Sequence, residues 1–244
     1  MGYLSKALRN FVSYVSEFGF VAATQIVINN RTNSLQKKVK IEKYIHPFFY
    51  RLGTTDFPIL RFIIGRQFVF KEIEDPKLII DAGANVGYVS VFYANQFPQC
   101  EVIAVEMEDS NFEMLIKNTN GYKNIRPIKA ALWNHNKGVS FGENNAKDSY
   151  NLIDQSSKCY TVPSVTIEEL TRLHLTIDLI KLDIEGAEIE VLDDMRMNNI
   201  QPKILVVELH DRFREGCSLA LEKYLTGRLF KRGKIYEYEM IVFQ

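Results

Sequence analysis

The chain has 244 residues, 46% of them hydrophobic, which favours one α/β domain with an appendage over two full domains. Lysine plus arginine equals aspartate plus glutamate at 30 each, so no basic excess indicates binding to a nucleic-acid backbone, and we expect no nucleic-acid partner. Cys100, Cys159 and Cys217 form no CxxC pair or metal-ligand spacing. We therefore expect free thiols in a reducing compartment and assign the protein to the cytoplasm.

The N-terminal part begins with a helical pattern over residues 4–29 that is interrupted near Gly19. Its most apolar stretch, residues 11–28, contains Glu17 and Gln25 and falls short of the roughly 20 apolar residues of a membrane-spanning helix. We predict helices that pack on the protein and no transmembrane segment, while peripheral contact with a membrane surface remains open.

Two further segments complete this part of the chain. Residues 37–51 alternate in the manner of one or two short strands, and residues 55–65 indicate a helix opened by Thr55 or Asp56. We interpret residues 1–70 as an N-terminal cap of helices and short strands, and residues 71–244 as the main domain.

The main domain has the pattern of an α/β fold, because short apolar runs recur with helical segments between them. The predicted strands lie at 77–81, 101–106, 125–133, 177–183 and 203–209, and the predicted helices at 86–96, 110–120 and 187–195. Continuously apolar strands are typical of a parallel sheet covered on both faces. Residues 141–157 are polar and indicate a loop, and residues 227–244 have room only for an antiparallel hairpin. The prediction is a Rossmann-like, mostly parallel sheet flanked by helices, with an antiparallel C-terminal hairpin.

The stretch DAGANVG, residues 81–87, follows the first strand of this domain and opens a helix. Turns at the carboxyl ends of parallel strands bind cofactors, and Gly83 and Gly87 permit close approach of the backbone. The spacing does not match GxGxxG, and Asp81 would repel a pyrophosphate, so an NAD-dependent oxidoreductase is improbable. The sulfonium and ammonium of S-adenosylmethionine are cationic, and Asp81 could attract the ammonium directly or through water.

Glu106 supports the same cofactor. It ends the second strand, 25 residues after Asp81, where an acidic side chain commonly accepts both ribose hydroxyls of an adenosine. Paired with the DAGANVG turn, it favours S-adenosylmethionine over a dinucleotide.

A second group of polar residues follows the next two strands. Asp183, Glu185 and Glu188 lie at one strand end and helix start, and Glu208 and His210 lie at the end of the next strand. Such groups beside a methyl donor could deprotonate a hydroxyl or hold a divalent metal, for which Asp183, Glu208 and His210 are the candidates. Glu185 and Glu188 also suit the N-terminal dipole of a helix, which explains part of the cluster.

Three motifs in this order, DAGANVG, KLDIEGAE and VVELHD, resemble the FkbM family of S-adenosylmethionine-dependent methyltransferases. The resemblance covers roughly residues 45–225 and includes YRLGTTD (50–56), where Thr55 replaces a serine, and VTIEEL (165–170), which departs from the family pattern at Ile167 and Glu168. Met107 stands where the family usually has proline, which leaves Glu106 in place.

The resemblance implies a class I methyltransferase fold and O-methylation of a hydroxyl on a sugar, glycan or natural product. It implies that the cofactor is lined by Asp81, Gly83, Ala84, Asn85, Gly87, Glu106 and Met107. It places Asp183 and Glu185 beside the methyl group, with Glu208 and His210 as neighbours, and these four are the candidate catalytic residues. A non-catalytic Rossmann-like binding protein is the alternative. The acceptor, the metal, the general base and the oligomeric state stay open at this point.

Overall fold

The computed structural model describes residues 2–65, 73–142, 151–152 and 159–244. Its helices are α1 (Gly2–Phe18), α2 (Phe20–Asn29), α3 (Asp56–Leu60), α4 (Tyr88–Gln96), α5 (Asp109–Thr119), α6 (Ile167–Thr171), α7 (Glu188–Met197) and α8 (Cys217–Leu225), with a π-helical turn, Arg61–Gly65, after α3. Its strands are β1 (Gln36–Val39), β2 (Phe48–Arg51), β3 (Leu78–Ala82), β4 (Glu101–Glu106), β5 (Ile125–Lys129), β6 (Ala131–Leu132), β7 (Val139–Gly142), β8 (Asn151–Leu152), β9 (Cys159–Val162), β10 (Ser164–Val165), β11 (Leu179–Leu182), β12 (Ile204–Glu208), β13 (Phe230–Ile235) and β14 (Tyr238–Phe243).

A seven-stranded sheet forms the centre of the protein, in the order β13-β14-β12-β11-β3-β4-β5. The strands from β12 to β5 are parallel, and β14 pairs antiparallel with both β12 and β13. The predicted fold class, a mostly parallel sheet with an antiparallel C-terminal hairpin, is confirmed.

The order of the strands reverses between β3 and β11, which makes this the switch point of the sheet. From β3 the chain builds β4 and β5 on one side, and it then returns to build β11 and β12 on the other. Connections leave the carboxyl ends of β3 and β11 in opposite directions, which is the arrangement that opens a ligand crevice in an α/β sheet.

The central strands bury side chains on both faces. Ile79, Val102 and Leu179 pack with α4 and α5 on one face, and Ile80 and Leu205 pack with α7 and α8 on the other. This alternation follows the two-residue period of a strand, and burial on both faces requires the continuously apolar runs seen in the sequence.

The N-terminal elements pack on the first of these two faces. Ile26, Val39, Phe48 and Leu60 belong to the same buried cluster as Ile79. The predicted boundary near residue 70 falls within 66–72, outside the described residues, so the division into two parts stays a prediction. No helix among the described residues combines the length and the hydropathy that crossing a bilayer requires.

The single strand predicted at 125–133 is two strands in the structure, β5 and β6. β5 ends at Lys129, which pairs with Glu106 at the end of β4, and no strand of that ladder continues beyond it. The chain then turns away, and Ala131 and Leu132 pair in parallel with β10.

The segment 141–157, predicted to be a loop, contains strand residues at 141–142 and 151–152. β7 extends to residue 142 and pairs with β8 at residues 151–152 and with β9 in a small antiparallel sheet. Residues 143–150 and 153–158 lie outside the described part of the chain.

Candidate active site

The DAGANVG turn joins β3 to α4 and touches the end of β11. The backbone N–H groups of Gly83 and Ala84 both donate to the carbonyl of Val105, at 3.0 and 2.9 Å. Gly83 has φ +70°, and a Cβ built there would lie 1.7 Å from the carbonyl oxygen of Asp183. Only glycine allows this approach, so the turn and the end of β11 adjoin directly.

Glu106 holds the turn from the neighbouring strand. Its Oε2 accepts from the Asn85 N–H and its Oε1 from the Glu108 N–H, each at 2.8 Å. Burial raises the pKa of Glu106, and these two N–H groups oppose the rise. A carboxylate oxygen has two lone pairs, so each oxygen retains an acceptor position for a hydroxyl of a ligand.

Asp81 lies beneath the turn and is completely buried. Its Oδ2 accepts from the Ser90 hydroxyl at 2.6 Å, and its Oδ1 lies 3.4 Å from the Lys181 Nζ. Lys181 therefore supplies a charge opposite to that of Asp81.

Lys181 is the residue that the sequence reasoning missed. It interrupts the apolar strand β11 and is 2% exposed, and the register places it directly beside Asp81. Its Nζ lies 3.3 Å from Asp183 Oδ2 and donates to the Gly83 carbonyl at 3.2 Å. Burial lowers the pKa of Lys181, but the attraction of Asp183 and Asp81 outweighs it and the pKa is raised. A lysine inside a buried strand was the signal in the sequence.

Asp183 follows β11 and is held by two other elements. Its Oδ2 accepts from the Tyr238 hydroxyl of β14 at 2.7 Å, and its Oδ1 lies 3.8 Å from His210 Nε2. Burial opposes ionisation, yet Lys181, Tyr238 and His210 together hold the pKa of Asp183 below its usual value. These three contacts favour the ionised form of Asp183.

Glu185 occupies the turn between β11 and α7 in a left-handed conformation, with φ +52°. Non-glycine residues seldom adopt this conformation, and where they do it often serves a site. Burial, and then repulsion by Asp183, Glu208 and Glu188, raise the pKa of Glu185 to about 7.

His210 follows β12 and is 1% exposed. Its Nδ1 lies 2.9 Å from Oε1 of the fully buried Glu188. Its Nε2 lies 3.4 Å from Glu185 Oε2 and 3.5 Å from Glu208 Oε1. Burial lowers the pKa of His210, but Glu188 and the other carboxylates outweigh it and raise the pKa to about 9.

The structure thus brings the predicted residues together in two adjoining groups. Gly83, Asn85 and Glu106 form the turn side, where Ala84 is buried and Met107 packs with Ala131, Trp133 and Val139. Asp183, Glu185, Glu208 and His210 form the second group, which we call the acidic rim. Lys181, Glu188 and Tyr238 connect the acidic rim to the fold, and all three come from contacts between elements distant in sequence.

Comparison with known proteins agrees with this architecture. The family model of the methyltransferase FkbM domain matches residues 81–235. The solved structure of the methyltransferase FkbM from Methylobacillus flagellatus KT is similar with a TM-score of 0.51 and 16% identity, over 72% of this chain and 46% of that one. This chain therefore spans about half the length of that protein.

Two further solved structures have lower TM-scores. Fibrillarin from Aeropyrum pernix, in complex with S-adenosyl-L-methionine, has a TM-score of 0.45 and 10% identity over 86% of this chain and 94% of that one. Precorrin-6y C5,15-methyltransferase from Geobacter metallireducens GS-15 has a TM-score of 0.44 and 13% identity, over 71% of this chain and 82% of that one. No curated protein matches the chain.

Proposed function

This chain belongs to the FkbM methyltransferase domain family, and from that premise we propose that it transfers a methyl group from S-adenosylmethionine to a hydroxyl oxygen of a sugar, a glycan or another small molecule. The family and the fold are those of S-adenosylmethionine-dependent methyltransferases. The choice of oxygen and of acceptor class is our proposal.

The turn side has the features that the cofactor requires. A Cβ at Gly83 would fill the space against Asp183, and Glu106 keeps acceptor positions beside the Asn85 N–H. We propose that Glu106 binds the ribose hydroxyls and that Asp81 balances charge beneath the turn. The remaining contacts with the cofactor are assigned to Gly83, Ala84, Asn85, Gly87 and Met107. When bound, the cofactor supplies a methyl group that its sulfonium makes electrophilic.

One observation carries the proposal most directly: the turn and the acidic rim adjoin. The Gly83 Cα lies so close to the Asp183 carbonyl that no side chain fits between them. An acceptor hydroxyl held by the acidic rim is therefore next to a methyl group held by the turn. Positioning two reactants in this way supplies a large part of the rate enhancement of an enzyme that joins them.

The acidic rim also provides a destination for the proton of the acceptor hydroxyl. Lys181 and Tyr238 hold Asp183 in its charged form, so we assign it to orienting the acceptor. Glu185 and Glu208 lie beside it, and we propose that one of these two carboxylates accepts the proton. Asp183→Asn should abolish turnover of a hydroxyl acceptor and spare cofactor affinity, measured by release of S-adenosylhomocysteine and by calorimetry.

The proposed location is the cytoplasm. Cys100 and Cys217 are buried free thiols, which agrees with a reducing compartment.

Calorimetric titration with S-adenosylmethionine tests the donor assignment. The wild-type protein should bind one equivalent, and Glu106→Gln should weaken binding about tenfold or more, because a charge-assisted hydrogen bond is worth roughly 1.5 to 3 kcal/mol. Glu101→Gln is the matched control, since Glu101 lies at the opposite end of β4 and contacts Arg126 and His174. Its affinity should equal that of the wild type.

Two results would contradict the proposal in different ways. Absence of binding at millimolar S-adenosylmethionine, with binding of NADH instead, would favour an oxidoreductase. Cofactor binding without methyl transfer to any of a panel of sugars and hydroxylated small molecules would favour a non-catalytic binding protein.

A further inference from the structure

We propose that Asp183, Glu185 and His210 form a binding site for a divalent metal ion. The role of the ion rests on the proposed methyl transfer, but its binding does not. The three residues come from the carboxyl ends of β11 and β12, and one ligand atom from each lies within 4.8 Å of the others.

The two separations measured from His210 suit a single ion. Ligand atoms about 2.1 Å from one metal ion are roughly 3.0 to 4.2 Å apart, depending on the angle between them. His210 Nε2 lies 3.4 Å from Glu185 Oε2 and 3.8 Å from Asp183 Oδ1. Both separations fall within that range without any movement of the backbone.

Two buried atoms point to a ligand at this position. His210 Nε2 and Glu185 Oε2 are buried and make no hydrogen bond within the described part of the protein. Leaving a buried polar atom without a partner costs about 1 to 3 kcal/mol, so such atoms in a folded protein usually mark a bound ion, a water or a functional group. Since His210 is 1% exposed and its Nε2 faces three carboxylates, a cation bound among them is the partner that satisfies both atoms.

The opposite side of the imidazole ring is already fixed. Glu188 Oε1 lies 2.9 Å from His210 Nδ1, and Glu188 itself accepts from the Ile184 N–H and from the Cys217 thiol, both at 3.3 Å. A histidine that binds a metal almost always donates its other N–H to a carboxylate or carbonyl, which orients the ring and directs the free nitrogen lone pair at the metal. Glu188 has this position, and its complete burial keeps the ring in place.

The charges around the site also favour a cation. Asp183, Glu185, Glu188 and Glu208 all lie within 4 Å of His210. Among the described residues, the permanently charged cations in contact with these four are Lys181, which also balances Asp81, and the largely exposed Arg212. A divalent ion would supply the charge that this cluster lacks.

The ligand set indicates the class of ion. One imidazole nitrogen with two carboxylates suits divalent first-row metals such as Mn²⁺ or Fe²⁺ better than Ca²⁺, which prefers oxygen ligands alone. Bound there, the ion would lie beside the methyl donor, where it would hold the acceptor oxygen and lower the pKa of the hydroxyl. Glu208, next to the ligands but outside the set of three, would then accept the proton.

A titration of the metal-free full-length protein with Mn²⁺, followed by electron paramagnetic resonance of the free ion, tests the site. The wild type should remove one Mn²⁺ per chain from solution. Glu185→Gln and His210→Gln should each weaken binding at least tenfold, because each removes one ligand. Asp193→Asn is the matched control, since Asp193 is an exposed acid of α7 that contacts Arg196, and its binding should equal that of the wild type.

Circular dichroism of each variant separates loss of a ligand from loss of the fold. Glu185 is partly exposed, so Glu185→Gln gives a decisive comparison even if His210→Gln does not fold. The absence of stoichiometric binding at millimolar Mn²⁺, or unchanged affinity in folded Glu185→Gln, would overturn the metal site and would indicate that a protonated His210 alone balances the carboxylates. Calorimetry with S-adenosylmethionine on the same samples keeps the two proposals apart, because either ligand can bind without the other.

Discussion

The two ends of β11 carry aspartates with opposite surroundings. At the start, Asp178 accepts from the Lys77 and Leu78 N–H groups at 2.7 and 3.0 Å and from Lys203 at 2.7 Å. It thereby joins the beginnings of β3, β11 and β12. At the far end, Asp183 lies among carboxylates and beside two buried atoms that make no hydrogen bond within the described part of the chain, Glu185 Oε2 and His210 Nε2.

The difference separates an edge where the aspartate stabilises the sheet from the edge where we propose the active site. Hydrogen bonds and Lys203 outweigh burial and lower the pKa of Asp178, so its ionised form stabilises the fold. At the carboxyl edge, burial and like charges raise the pKa values of Glu185 and Glu208. Groups whose pKa values are perturbed in this way are typical of sites that bind or transform a ligand.

Gly83→Ala should have the largest effect, because the new Cβ would overlap the Asp183 carbonyl oxygen at the junction of turn and acidic rim. We expect a loss of about 3 kcal/mol or more in the free energy of unfolding, from overlap added to backbone strain. Gly53→Ala is the control, since Gly53 has φ +79° but nothing within 4 Å of its Cβ position. Gly53→Ala should lower the free energy of unfolding by only about 1 kcal/mol. Equal losses in urea denaturation would show that close approach at Gly83 is unimportant.

Lys181→Met should destabilise the carboxyl edge by about 3 kcal/mol, because it leaves the buried Asp81 and the partly buried Asp183 without their cation. Lys203→Met is the matched control at the amino edge, where the lysine side chain is 66% exposed, and exposed ion pairs contribute at most about 1 kcal/mol. The free energies of unfolding of both variants can be measured by urea denaturation.

A double variant sharpens the result for Lys181. Adding Asp81→Asn to Lys181→Met should recover part of the loss, because it removes one of the two uncompensated charges. If the two losses were simply additive, the proposed pairing of Lys181 with Asp81 would be wrong.

Asp178→Asn should have the smallest effect, about 2 kcal/mol at neutral pH, since it weakens hydrogen bonds to a charged acceptor at the amino edge. The pKa of Asp178 in the folded protein lies below its usual 3.8. Its stabilisation is therefore complete above the unfolded-state pKa and is lost as the pH falls through the folded-state value. The difference between variant and wild type should shrink as the pH falls below 3.8, measured by urea denaturation at several pH values. A constant difference would contradict an ionised role for Asp178.

Much of the fold and of the turn side was predictable because the signals are local. Apolar runs identified the strands that helices cover on both faces, and the DAGANVG turn with Glu106 marks the side where we propose that the donor binds. The helix α8 was not predicted, and the run 125–133 was given one strand where the structure has two, because its second half changes partner at Lys129. That change depends on where β4 ends and not on the run itself.

The sequence by itself determined the family, the α/β architecture and the position of the acidic groups at strand ends, since these depend on hydrophobic periodicity and on short motifs. Only the tertiary structure decided what those groups contact. The register of β11 against β3 places Lys181 beside Asp81, the inserted strand β14 brings Tyr238 to Asp183, and the start of α7 gives Glu188 to His210. Each of these contacts joins residues 22 to 100 positions apart, and pairing over such separations leaves no trace in a local pattern. The charges and unpaired lone pairs at the carboxyl ends of β3 and β11 therefore come together only when the sheet is assembled.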